Sequence, residues 1–275
     1  MKTIIAPVDF SPQSLNAAFF AADLAEFYGA DLILFHTYEV ITPMTVYTYP
    51  FVSLPEMQHA AEYELEECKK KIDSRLKRAI HIELRTEYNS LEVGLKNLCD
   101  EKKPDLVVMG LSGKDVLTRL VVGSNTIRAI HHLDYPILAV PTKAEFIPIR
   151  KIGFACDYKQ VEDTTPIEPL KKLILDFKAE LHVMNVDNTS QSRTSEERAL
   201  ENGYAVELLK AFKPEFHAIE SPDVTDGINW FAQKAKLDLI VVIPKKHNLI
   251  DKLFKRSQTK DLIFHTNIPV LCMHE

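Results

Sequence analysis

Residues 3–8 (TIIAPV) open the chain as a short apolar, β-rich run closing on Asp9, the pattern of a strand that feeds a loop. Ser11-Pro12 follow as a capping residue and a proline suited to a first helical position. Leu15, Ala18, Phe19, Ala22, Leu24 and Ala25 then crowd one side of a helix that Gly29 stops. The next run, LILFHT at 32–37, is almost wholly apolar, as a parallel strand covered by helices on both faces must be. From Tyr38 to Pro55 the chain is rich in Pro, Tyr and Thr without a clear period, which predicts a long surface loop before a charged helix from about Pro55 to Arg78. A strand at 81–86, a helix from Ser90 to about Lys102, a strand at 106–109, a glycine-containing loop, a helix from near Ser124 and a strand at 137–140 complete the series. Five strands alternating with helices predict a doubly wound parallel α/β domain.

The alternation restarts at Lys151 with IGFACD. It continues with a helix at about 165–179, a strand at 181–186, a helical stretch near 195–212, a strand at 216–220, a helix at 224–236 and a strand at 239–243. An ungapped comparison of 105–138 with 238–271 gives ten identities in 34 positions, against roughly two for unrelated sequences of typical composition. Asp105, Leu106, Val108, Leu120, Ser124, Thr126, Ile130, His132, Pro136 and Leu138 recur 133 positions later. Asp9 and Asp157 match at a shift of 148 as the residues closing the first strand of each copy. The chain therefore reads as two tandem doubly wound, five-stranded domains, 1–144 and 150–275, joined by a linker at 145–150.

Composition narrows the function classes. A formal net charge of −6 supplies no basic face for nucleic acid, and no apolar run approaches the ~18 residues that span a bilayer. With MKTIIAPVDFSP running into Asp and Pro, a cytoplasmic protein is expected. Cys68, Cys99, Cys156 and Cys272 lack CxxC spacing and read as reduced structural thiols, with no metal site of the zinc-cluster type. Glycine is scarce, eight in 275, yet Gly110, Gly113 and Gly123 fall in one fourteen-residue window.

That window has the form G-x2-G-x9-G-[ST], ending in Gly123-Ser124-Asn125, and lies between a strand and a helix. Glycine at a strand exit lets backbone N–H groups approach phosphate oxygens, and a helix starting behind it adds free donors and a positive dipole end. The Walker spacing is absent. A structural alternative stays open: two glycines making a turn and the third starting a helix. Asp9 likewise either holds the strand-to-helix turn or accepts ribose hydroxyls from the end of the first strand.

VDFS at 8–11, LILFHTYE at 32–39, DLVVMGLSG at 105–113 and GSNTIRAIHHLDYPILAVP at 123–141 together resemble the universal stress protein family, in its ATP-binding branch. The resemblance implies an open sheet of order 3-2-1-4-5 with adenine nucleotide at its switch point, in a protein that acts as a regulatory or signalling module in a stress response. Carried across, Asp9 would bind ribose, backbone near Thr37 would meet the adenine, and Gly110, Gly113, Gly123, Ser124 and Asn125 would hold phosphates. Any Mg²⁺ would sit on the ATP phosphates and waters. The family's dimerisation through last strands implies an intrachain pseudo-dimer of 137–140 with 270–273, and beyond it a homodimer; an unidentified protein partner would read the nucleotide occupancy.

The second copy departs from this pattern. Gly110, Gly113 and Gly123 become Ile243, Lys246 and Arg256, while Ser124 survives as Ser257, so ATP is not expected there. Lys245, Lys246, Lys252, Lys255, Arg256 and Lys260 make its loop basic, either as solvated surface or as an anion or partner site. Near the phosphate loop no paired carboxylates or His–carboxylate arrangement is found. His36, inside an apolar strand, and His131-His132, at a helix end, read as structural. Binding with at most slow ATP hydrolysis is the expectation, and a nucleotide-independent scaffold is the alternative.

Overall fold

A computed structural model of the chain describes residues 1–39, 53–111, 124–156, 166–187, 203, 205–243 and 268–274. They fall into two compact units that divide between Phe146 and Ile147. Among the described residues no helix is long and apolar enough to cross a membrane.

The first unit runs β1 (Thr3–Pro7), α1 (Pro12–Tyr28), β2 (Asp31–Tyr38), α2 (Leu54–Asp73), β3 (Ile82–Tyr88), α3 (Leu91–Lys102), β4 (Leu106–Leu111), α4 (Ser124–His132) and β5 (Ile137–Pro141). All its strand pairs are parallel, in the order β3-β2-β1-β4-β5. Ile4 to Ala6, Leu32 to Phe35, Leu106 to Val108 and Ile137 to Val140 are all buried. Unbroken burial along a strand means that both faces are covered, which is why these strands do not alternate in sequence. Ser11 caps α1, Pro12 follows it, and Gly29 ends the helix in the left-handed conformation at φ 63°. Ser53 and Glu56 close a capping box at the start of α2, which stops at Asp73, five residues short of the sequence estimate. β4 runs two residues further than expected, because Gly110 and Leu111 still pair with Val140 and Pro141.

The second unit contains β6 (Lys151–Ala155), α5 (Ile167–Phe177), β7 (Glu180–Asp187), a helical stretch at 205–209 ending in a 3₁₀ turn (Lys210–Phe212), β8 (Glu215–Glu220), α6 (Val224–Ala235), β9 (Leu239–Val242) and β10 (Val270–Cys272). Its parallel order is β8-β7-β6-β9-β10. Both sequence shifts reappear in its register. Ile4 pairs with Leu106 and Ile152 with Leu239, while Val108 faces Leu138 and Val241 faces Leu271.

The recurring aspartates have a structural cause. Asp105 Oδ2 accepts the backbone N–H groups of Lys2 (2.6 Å) and Thr3 (3.1 Å). Asp238 Oδ2 accepts those of Arg150 (2.7 Å) and Lys151 (2.9 Å). Each carboxylate thus pins the entry of the first strand of its unit to the strand beside it.

Candidate functional site

In the first unit the chain moves outward from β1 to β2 and β3, then crosses back to β4 on the other side of β1. The carboxyl ends of β1 and β4 therefore splay their connections apart, which is where open α/β sheets accept ligands. Asp9 and Phe10 leave β1 there, His36 and Thr37 end β2, Gly110 and Leu111 end β4, and α4 begins at Ser124.

The β1–α1 connection is a network of short polar side chains. Asp9 Oδ1 accepts from the Ser11 amide (3.0 Å) and hydroxyl (2.5 Å). Ser11 Oγ in turn accepts from the Ser14 amide, and the Ser14 hydroxyl accepts from the Asp9 amide at 3.2 Å. Partial burial would raise the Asp9 pKa, but the bonds from Ser11 and Ser14 overcome it and leave the carboxyl below its ordinary value. Asp9 is an exposed, ionised acceptor, suited to hydroxyl donors and poorly suited to give a proton.

Gly110 has a packing reason to lack a side chain. A Cβ at this position would lie 2.5 Å from the carbonyl oxygen of Gln13 and 3.1 Å from the amide nitrogen of Ser14, both backbone atoms of the first turn of α1. Its own carbonyl accepts from Thr126 Oγ1 at 2.8 Å, and Thr126 is buried. Gly110 thus joins the start of α1 to the start of α4 across the end of β4. Thr37 is half-buried with its methyl group beneath α3, since a Cβ on Gly94 would come within 3.0 Å of it; its backbone stays in the pairing with Glu87. Asn125 is exposed in the first turn of α4, and of Ser124 only the backbone is described. Gly113, Gly123, Asp157, the 40–52 part of the Pro- and Tyr-rich segment and the basic 245–260 loop lie outside the described residues.

Three residues near this end carry no site role in the sequence reading. Thr126 recurs as Thr259, a repetition that already marked it. His36 Nδ1 lies 2.6 Å from the Val8 carbonyl oxygen, so that nitrogen carries the proton and donates it. The His36 ring packs 4.6 Å from that of Phe10, which takes a left-handed φ of 63°. No local pattern marks a phenylalanine for that conformation.

The model of the Universal stress protein family matches residues 1–141. A universal stress protein of Methanocaldococcus jannaschii is 30% identical over 148 residues, covering 50% of this chain and 81% of that protein. The chain belongs to the universal stress protein family. A second member, from Synechocystis, is 31% identical over 140 residues, 51% of this chain and 85% of its own. Among solved structures, a universal stress protein from Archaeoglobus fulgidus covers 99% of this chain and 98% of itself with a TM-score of 0.73 at 17% identity, a likeness of fold. The strand order of the first unit is the 3-2-1-4-5 that the family resemblance implies.

Proposed function

We propose that the first unit binds an adenine nucleotide, ATP foremost, at the carboxyl ends of β1 and β4, and that occupancy switches a surface read by a partner protein. One observation carries this reading: β4 ends at Gly110-Leu111 and α4 begins at Ser124, the two ends of the glycine-serine motif, and an ionised Asp9 lies just past the end of β1, the strand paired with β4. A helix N-terminus offers unpaired amides and a positive dipole end to phosphate, and a carboxylate one strand away suits ribose hydroxyls. Backbone near Thr37 would meet the adenine, and Gly113, Gly123, Ser124 and Asn125 the phosphates, with Mg²⁺ held through those phosphates. In the second unit the counterpart of Gly110 is Ile243, a buried side chain, and we assign no ATP to it.

Asp9 is an ionised acceptor already engaged by Ser11, and His36, fixed through its Nδ1–H on the Val8 carbonyl, is hydrogen-bonded to no carboxylate or nucleophile among the described residues, so no nucleophile–base pair is assembled near Asp9. Binding without rapid turnover follows. The scaffold reading draws on the structural tasks of the same residues, because Asp9 holds a turn and Gly110 permits a close approach. Calorimetric titration of the full chain separates the two. One ATP per chain, weakened tenfold or more by Asp9→Ala and by Gly113→Val, supports nucleotide binding. No saturable uptake at millimolar ATP refutes it, and two nucleotides per chain refute the exclusion of the second unit.

A further inference from the structure

The amino end of the second sheet carries a side-chain group unlike anything at the corresponding place in the first. His182, near the start of β7, pairs in register with Glu215 at the start of β8, and His217 follows one pleat later on the same face. His182 Nδ1 and His217 Nε2 are 3.1 Å apart. Glu215 Oε2 lies 3.4 Å from the first and 3.7 Å from the second. Three donor atoms of two imidazoles and one carboxylate thus form a nearly equilateral triangle.

We propose that His182, His217 and Glu215 form a binding site for a divalent transition-metal ion, Zn²⁺ foremost. Bond lengths of about 2.0–2.1 Å to nitrogen and oxygen in a tetrahedron put neighbouring donors about 3.3–3.4 Å apart, within the 3.1–3.7 Å spread of this triangle. Two imidazoles and a carboxylate are a donor set for zinc and its neighbours and not for Ca²⁺ or Mg²⁺, which take oxygen. The two facing ring nitrogens cannot both carry protons, so at least one presents a lone pair to the gap. The far nitrogen of His182, Nε2, is buried and has no hydrogen-bond partner among the described residues. Glu180 Oε2 stands 3.9 Å from it, too far for a hydrogen bond but within a side-chain adjustment of becoming the outer carboxylate of a ligating histidine. Exposure rises from 5% for the His182 side chain through 26% for His217 to 68% for Glu215, so an ion enters from the Glu215 side and water completes its shell.

The first unit shows what these residues replace. By register, His182, Glu215 and His217 stand where the first unit has Ile33, Glu83 and Arg85. There Glu83 is neutralised by Lys102 at 2.9 Å and Arg85 at 3.6 Å. At the 133 shift Lys102 becomes Ala235, so the second unit keeps the carboxylate and loses both fixed cations. It also buries an imidazole where an isoleucine packs, a desolvation cost that packing alone does not explain.

The test uses the full chain, stripped with a chelator and titrated with ZnCl₂ in competition with a chromophoric indicator, then with CoCl₂ for its visible absorption. We expect one Zn²⁺ per chain at micromolar or tighter affinity, and Co²⁺ bands of tetrahedral or five-coordinate strength. Glu215→Gln, a change at an exposed position that leaves the fold intact by circular dichroism, should weaken Zn²⁺ about tenfold or more. His182→Ile, which installs the side chain used in the first unit, should abolish the Co²⁺ bands. The proposal fails if the stripped protein takes up no Zn²⁺ at hundred-micromolar concentration. It fails equally if Glu215→Gln and His182→Ile bind as tightly as the parent, which would move the ion to other histidines.

Discussion

The two units share one backbone frame and differ at both ends of their sheets. Where hydrogen bonds to strand amides fix the frame, the copies agree. Asp105 and Asp238 make the same two bonds, and the amides of Val107 and Ile240 both donate to the carbonyl of a proline, Pro136 and Pro269. Where the fit is made by side chains, they diverge. Four residues separate β1 from α1, and that tight connection presses the first turn of α1 onto Gly110. Eleven residues separate β6 from α5, and the counterpart of Gly110 is Ile243, buried. Glycine at the end of β4 is therefore tied to a short connection, and the loss of glycine in the second unit goes with a longer one.

The largest effect should come from exchanging these two solutions. Ile243→Ala is expected to destabilise the second unit by about 2–5 kcal/mol, the cost of removing a buried aliphatic side chain that its surroundings only partly refill. Gly110→Ala should destabilise the first unit by about 1–3 kcal/mol, because its Cβ meets backbone atoms that cannot turn aside. Urea unfolding of each variant measures both. If Gly110→Ala is neutral, α1 is not pressed onto β4 and the link between glycine and the short connection is lost.

Much of this was legible in the sequence, because apolar runs, caps and stops are local signals. Ser11-Pro12 and Gly29 marked α1, and the repetition of Asp105 as Asp238 disclosed the duplication before any contact was known. The end of α2 was not legible, since the charged run from 74 to 78 carries no stop signal beyond the Ser74 cap. Gly110 was recognised as special, but its reason in the fold is the close approach of the Gln13 backbone, a residue 97 positions away. The histidine group was missed altogether, because His182 and His217 are 35 residues apart and only the β7–β8 register brings them together. Ligand spacing within one segment finds zinc ribbons, and it cannot find ligands delivered by neighbouring strands.

A middle-sized effect tests the shared frame. Asp105→Ala and Asp238→Ala each leave two strand-entry amides without their acceptor, and bonds to a charged group put the loss on the order of 2 kcal/mol. Because the two geometries match, the two losses should agree within a few tenths of a kcal/mol in urea denaturation. A clear inequality would mean that the repeated aspartate no longer does the same work in both units.

The smallest effect concerns the turn that holds Asp9. Ser11→Ala removes the α1 cap and the hydroxyl that donates to Asp9, and should cost about 1 kcal/mol. Asp9 adds a pH dependence of known sign. Its pKa in the folded chain lies below the ordinary value of about 3.9, so its contribution is complete above that pH and disappears as pH falls through the lower folded value. The stability difference between the parent and Asp9→Asn should therefore be constant in the neutral range and shrink below about pH 4. The same comparison made in a Ser11→Ala, Ser14→Ala background should show much less shrinkage, because the bonds that lower the pKa are gone. Equal acid dependence in the two backgrounds would place the lowered pKa outside the Ser11 and Ser14 bonds, and these serines would then not be what keeps Asp9 ionised.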